Sequence, residues 1–324
     1  MNIWLDFLIN ALAFGAIFVY GSTGEILTEK AGHLNLGVPG VMCMGAAGGC
    51  MVLNALGGSE LPGGLIVLLG ILCGFGMGAL MGLIYSFLTV SLRANQNVTG
   101  LAMTTFGVGM MKVIFSKLDY KIYLNKNKTL FRWPFSNWLD TLQANGLDSL
   151  QKMGTMFFLA ILIAVIAHWM LYRTRTGLYL RAVGESPATA DAVGINVTRY
   201  KYLATCVGCG IEGLGGLYTV MDYTASREAY VNLEAYGWLS VALVIFALWR
   251  PALTIVGSFL FGILCTIPSY ITNFGVKLTM TTIPLMNMLP YVVTILVLIV
   301  TSVRNKRENQ PPASLGLSYF REER

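Results

Sequence analysis

Asn35, Asn95, Gln96, Asn97, Thr99 and Thr104 place amide and hydroxyl groups in or beside two polar interruptions of an otherwise apolar chain. The interruptions read "EKAGHLNLGVPG" (Glu29–Gly40) and "RANQNVTG" (Arg93–Gly100). Amides and hydroxyls exchange hydrogen bonds without needing a counter-charge, so the set suits the pathway of a neutral, hydroxyl-rich solute. Each could equally serve as a helix cap or an interhelical bond. Glu212, in "GCGIEGLGG", is the one carboxylate well inside an apolar run. A charge at a bilayer centre costs at least about 2.5 kcal/mol, so Glu212 is either an ion or proton relay or a hydrogen-bonding group on a polar path.

Other chemistry has little to stand on. There is no GxxxxGK[ST] phosphate loop, no Ser/His/Asp set, and no carboxylate pair at catalytic spacing. Cys206 and Cys209 form a CxxC without a second pair, and His33 and His168 lack ligand partners at metal spacing. All six cysteines lie in apolar runs, where free Cys acts as a small buried apolar residue. The expectation is a non-enzyme with no metal and no directly bound cofactor.

The elements that must position these residues are membrane spans. The 324 residues are 55% hydrophobic and 12% charged, with mean hydropathy +0.65, whereas soluble domains average about 25% charged residues. A span needs about 20 mostly apolar residues. Candidates are Ile3–Thr23, Val38–Leu56, Gly64–Leu92, Val98–Phe115, Met153–Tyr172, Tyr202–Met221, Tyr236–Leu248, Ala252–Ile271 and Leu289–Val303. β-Barrel alternation is absent, so the fold class is an all-α polytopic membrane protein of about nine transmembrane helices. The first run lacks a small-residue cleavage site and is expected to be retained as a helix. Tyr236–Leu248 is short and runs into Trp249, Arg250 and Pro251, the pattern of a broken or half-helix that stops inside the protein. Gly32, Gly37 and Gly40 allow backbone bends in the first interruption. Pro39 and Pro251 suit helix starts.

The net charge of +6 is most simply topology-setting charge on loops, not a nucleic-acid surface. The loop Arg173–Lys201 carries five basic and two acidic residues, and the tail Arg304–Arg324 five and three. Placing both in the cytoplasm puts the N-terminus outside, at the expense of an external loop, Asp119–Lys152, that is itself basic. Trp133, Phe135, Trp138 and Leu139 suggest an interfacial segment in that loop. Residues 1–303 are thus expected as one transmembrane domain and 304–324 as a cytoplasmic tail. Within the loop 173–201, Ser186 suits a helix cap, Pro187 the first helical position and Gly194 a left-handed stop, around Ala188, Ala190, Asp191 and Val193. The result is a short helix fit to dock on a partner.

Four stretches carry a resemblance: "GEILTEKAGHLNLGVPGVMCMGA" (Gly24–Ala46), "ANQNVTGLAMTTFGVG" (Ala94–Gly109), "TGLYLRAVGESPATADAVGINVTRYK" (Thr176–Lys201) and "GWLSVALVIFALWRPALTIVGSFLFG" (Gly237–Gly262). They resemble the permease subunits of ABC importers of the branched-chain amino acid and simple-sugar class. Within it they are most like nucleoside-type permeases that work with basic-membrane-protein-like binding lipoproteins. The resemblance implies a multi-pass subunit of the bacterial cytoplasmic (inner) membrane. It would pair with a second homologous permease, as a heterodimer, with ABC ATPase subunits that use the ATP and with an extracytoplasmic substrate-binding lipoprotein. It makes Glu185–Val193, with Gly194 behind it, the coupling helix.

The sequence departs from the family at Ala235-Tyr236-Gly237, where Gly-Arg-Gly is frequent, at Ala247 in place of Gly, and at Glu212 in place of a small residue. These departures bear on the solute. Nucleosides are the expected substrate, with a ribose-like sugar or riboflavin as alternatives. The rival class is an ion-coupled secondary carrier built on Glu212, and a membrane scaffold is the third reading.

Overall fold

The computed structural model describes residues 3–119, 153–224, 226, 228–271, 282–304 and 310–320. Trp133, Phe135, Trp138 and Leu139, with the interfacial segment expected there, lie outside the described residues. Every regular element among those described is helical. In chain order they are α1 (Ile3–Lys30), α2 (Val38–Leu56), α3 (Gly63–Ser86), α4 (Gln96–Lys117), α5 (Thr155–Arg173), α6 (Arg175–Glu185), α7 (Pro187–Ala192), α8 (Val197–Tyr218), α9 (Leu233–Phe246), α10 (Pro251–Tyr270), α11 (Thr282–Asn287) and α12 (Leu289–Arg304). π-Turns extend α3 through Phe87–Ser91 and α8 through Thr219–Tyr223. Among the described residues eight helices are long and apolar enough to cross a membrane, and a shorter apolar run, Pro284–Val297, follows across α11 and α12.

α1, α2 and α8 form the centre, while α3, α4, α5 and α10 surround them with largely exposed apolar faces. The sequence explains the division. α2 and α8 are rich in Gly, Ala and Cys, and lipid supplies no hydrophobic drive between helices, so close backbone approach does the packing. Gly45 shows this most plainly: a Cβ there would run into the backbone of Gly213. The outer helices instead carry Leu, Val and Phe toward the surroundings, as Leu162, Val165 and Trp169 do on α5.

Two expectations are revised. α1 continues to Lys30, beyond the expected end at Thr23, and so brings Glu25, Thr28 and Glu29 inside the bundle. The segment expected as a half-helix from Tyr236 begins earlier: a 3₁₀ turn at Ala229–Asn232 leads into α9, giving an 18-residue apolar span, Ala229–Phe246. The break after it falls at Leu248 and Trp249, both left-handed at φ 52° and 56°, and Pro251 opens α10.

Alternation of direction gathers one set of termini at the end of the bundle where 173–201 lies, here the loop end. These are the ends of α1, α3, α5, α9 and α12 and the starts of α2, α4, α8 and α10. Residues 310–320 fold back across it. Ser314 N–H donates to the Gly184 carbonyl at 3.0 Å and Gly316 N–H to the Gly32 carbonyl at 3.3 Å. The Tyr319 hydroxyl donates to Asp191 at 3.0 Å.

Candidate functional site: a knotted break and a polar vestibule

The chain between α1 and α2 is the first interruption, and four helices tie it down. Gly32 sits at φ +86°, a conformation that suits glycine, so the expected bend falls there. Gly37 and Gly40 do not bend the chain. Gly37 has an ordinary φ of −86° and its N–H is held by the Asn35 side chain at 2.9 Å, while Gly40 lies inside α2, where a Cβ would meet Thr104 Cα at 2.6 Å. Their smallness admits α4.

The expected pathway residues serve this knot. Asn35 is 1% exposed; its N–H donates to Glu25 at 3.2 Å and its amide to the Cys209 sulfur at 3.5 Å. Gln96 accepts from Leu34 N–H at 2.8 Å, and Thr104 donates to the Leu36 carbonyl at 2.8 Å. Asn95 caps α4 through Val98 N–H at 3.1 Å, and Thr99 bonds back to the Asn95 carbonyl at 2.8 Å. Asn97 is exposed. The backbone groups freed by the break are thus paired by side chains, as membrane depth requires.

Glu212 is fully buried, and its carboxyl meets those of Glu25 and the thiol of Cys209; Glu25 also reaches Glu29. The spacing of carboxylates along the chain gave no hint of this pair, because it forms across α1 and α8. Among the described residues no group of His, Cys, Asp or Glu is arranged to hold a metal ion. His33 bonds Thr205 through Nδ1 at 2.8 Å; burial first, then Lys201, pushes its imidazole well below the usual histidine range, so it is neutral.

In the loop, Ser186 caps α7 by accepting from Thr189 N–H at 3.4 Å, Pro187 takes the first helical position and Gly194 is left-handed at φ +87°. α6 precedes it, an amphipathic helix not expected from the sequence. Ala190 is 2% exposed and packs with Val183 and Val197, so it anchors α7 and is not on a docking face. The outward face carries Ala188, Thr189, Ala192 and Val193, the last 72% exposed. Glu185 accepts from Ala313 N–H at 3.4 Å.

At the opposite end, a cavity of about 560 Å³ opens between α1, α8, α9, α10 and α12. Phe14, Tyr223, Tyr236, Tyr270 and Tyr291 supply rings, Asn10, Asn232 and Asn287 amides, and Thr224, Thr266 and Ser269 hydroxyls. Among the described residues none of its lining side chains carries a formal charge. Phe14 meets Tyr223 and Tyr236 edge-on at 5.3 and 5.1 Å between centroids. The Asn10 amide donates to Tyr270, whose hydroxyl donates to Asp6 at 2.5 Å. Sequence reasoning missed this site, though a signal exists: Asn10/Phe14, Asn232/Tyr236 and Asn287/Tyr291 repeat an Asn four residues before an aromatic, the spacing of one face in α1 and of two adjoining elements at the starts of α9 and α12.

Comparison with known proteins agrees with this architecture. The family described as "Branched-chain amino acid transport system / permease component" matches residues 7–300, and the chain belongs to it. The Haloferax volcanii permease TsgC13, to which a glucose ABC transporter is ascribed, is 31% identical over 97% of this chain and 98% of its own. The nucleoside ABC transporter permease protein NupC of Lactococcus lactis subsp. cremoris is 30% identical, covering 89% of this chain and 90% of its own. The guanosine ABC transporter permease protein NupQ of Bacillus subtilis is 30% identical over 89% of each. The chain is therefore a multi-pass membrane protein of the ABC transporter permease class.

Proposed function

We propose that the chain is the transmembrane permease subunit of an ATP-driven importer of nucleosides, moving solute by alternating access. The observation that carries this is the vestibule. Rings suit a flat base, and neutral amides and hydroxyls suit ribose oxygens without demanding a charged group. Two of the relatives are named for nucleosides or guanosine. Glucose is the solute ascribed to another, so a simple sugar is the second reading.

The loop 173–201 and the tail 304–324 face the cytoplasm and the N-terminus lies outside, which turns the vestibule toward an external binding lipoprotein. Residues 1–303 act as one transmembrane unit in the bacterial inner membrane, paired with a second homologous permease. The chain has no ATPase site and binds no cofactor; partner ATPases use ATP and dock on the outward face of α7. Their closure moves α7 with its neighbours α6 and α8, and α5 through α6. α8 contacts α1 where Gly208 and Gly24 leave room only for backbone, so movement reaches the break. In this arrangement Asn35, Gln96 and Thr104 hold the hinge of the path.

Competition against labelled nucleoside uptake in cells expressing the whole system tests the solute. Unlabelled nucleosides compete, while ribose, glucose and riboflavin do not. Competition by glucose or riboflavin with none by nucleosides contradicts the assignment.

A further inference from the structure

A second cavity, of about 770 Å³, opens at the loop end, remote from the vestibule. Arg93, Gln96, Asn196, Arg199, Lys201 and Tyr319 are among its walls. Its one acidic lining residue among those described, Asp191, already accepts the Tyr319 hydroxyl at 3.0 Å. Three cations therefore face one engaged carboxylate.

Lys201 is the informative residue. It is 3% exposed, and among the described residues no hydrogen bond or ion pair reaches its ammonium. Its stem is buried while its ammonium is left to the cavity it lines, with no counter-charge bound to it among the described residues. Arg199 stands two residues earlier on α8, exposed and with no side-chain partner among the described residues. Arg93 is held left-handed at φ +59°, a conformation unfavourable for a residue with a side chain, where the π-turn after α3 meets α4. Its guanidinium lies 4.8 Å above the Phe320 ring. That contact uses the face of the group and leaves its N–H edge for an in-plane acceptor. The starts of α8 and α4, capped by Asn196 and Asn95, both reach the cavity and add the positive ends of two long helices.

Strained Arg, exposed Arg, a Lys whose ammonium is left to the cavity and two helix N-termini share one acceptor chemistry: a multiply oxygenated anion matched to guanidinium, ammonium and backbone N–H. The volume is that of a small-molecule site. We propose that this cavity binds a phosphate group, carried by an anionic phospholipid headgroup or by a soluble phosphate ester. The site touches α7 through Asp191, the break through His33 and the tail through Tyr319, so an occupant bridges these three parts of the loop end. The inference does not depend on which solute the vestibule takes.

The test uses the full-length chain in the assembly in which it is extracted, in phosphatidylcholine nanodiscs, with the thermal unfolding midpoint as readout. One arm titrates inorganic phosphate and adenosine 5′-monophosphate at constant ionic strength. The other replaces phosphatidylcholine stepwise with phosphatidylglycerol. A saturable rise in the first arm identifies a soluble phosphate ester, and a rise confined to the second identifies a lipid headgroup. In either case half-saturation shifts at least tenfold in Lys201→Gln and in Arg199→Gln, and stays within twofold in Arg175→Gln, an exposed cation outside the cavity. If Lys201→Gln does not fold, Arg199→Gln and Arg93→Gln, both at exposed positions, carry the comparison. No saturable shift in either arm, or a shift that these variants leave intact or that Arg175→Gln weakens equally, overturns the proposal.

Discussion

The indole N–H of Trp249 donates to the carboxylate of Glu29, joining the left-handed break after α9 to the last turn of α1. Both residues are buried, at 6% and 3% exposure, so the bond is shielded from water. It fastens one interruption of the membrane pattern to another. Trp249→Phe keeps most of the ring and removes the donor, leaving a buried acceptor unpaired, at a cost of about 1–3 kcal/mol. A lowered thermal unfolding midpoint checks this, and an unchanged midpoint means Glu29 is satisfied elsewhere.

The two faces of α7 should separate stability from coupling. Ala190→Asp forces a charge into the contact with Val183 and Val197 and lowers the unfolding midpoint of the permease itself. Val193→Asp adds the same charge on the exposed face. It leaves the midpoint within a degree or two and reduces ATPase co-purification or solute-stimulated ATP hydrolysis. Equal effects of both variants on stability would remove the distinction.

Glu212 gives a third outcome. In Glu212→Gln an amide of nearly the same shape replaces the carboxyl beside Gly24 of α1, so the contact between α1 and α8 persists. Uptake is then retained at more than half the original rate, and it remains sensitive to ATP depletion. Loss of uptake in Glu212→Gln, with uptake by the original protein surviving ATP depletion, would favour ion coupling.

The vestibule predicts a change in affinity. Tyr236→Ala removes a ring that packs on Phe14, and the solute concentration for half-maximal uptake rises about 2- to 12-fold, the scale of one aromatic contact. Tyr236→Phe keeps the ring and changes it by less than about twofold. The comparison is made in initial-rate uptake assays, and identical values for both variants would place the solute elsewhere.

Much of the fold is legible in the sequence because its signals are local. Apolar runs of membrane length mark the spans, and Ser186, Pro187 and Gly194 mark the ends of α7 by cap, fixed φ and left-handed stop. The site is less legible because its signals are tertiary. Residue type and position mark Asn35, Gln96 and Thr104 equally as pathway groups or as structural hydrogen bonders, and only the packing of α4 and α8 shows that their bonds close on the chain itself. Glu25 and Glu212 lie on different helices, so their meeting cannot be read from spacing. Ala190 and Val193 look alike as small apolar residues of a loop helix, and only the fold-back of α6 decides which is covered. The vestibule leaves a weak periodic trace, Asn before an aromatic by four, that becomes meaningful once three helix ends are known to converge.

The central claim is most directly tested by purifying the complete assembly into proteoliposomes with ATP enclosed and following labelled nucleoside uptake. ATP-dependent accumulation inside the vesicles, abolished when ATP is replaced by a non-hydrolysable analogue, is the predicted result. Accumulation that persists without ATP, or ATP-dependent accumulation of a sugar with none of nucleoside, would contradict it.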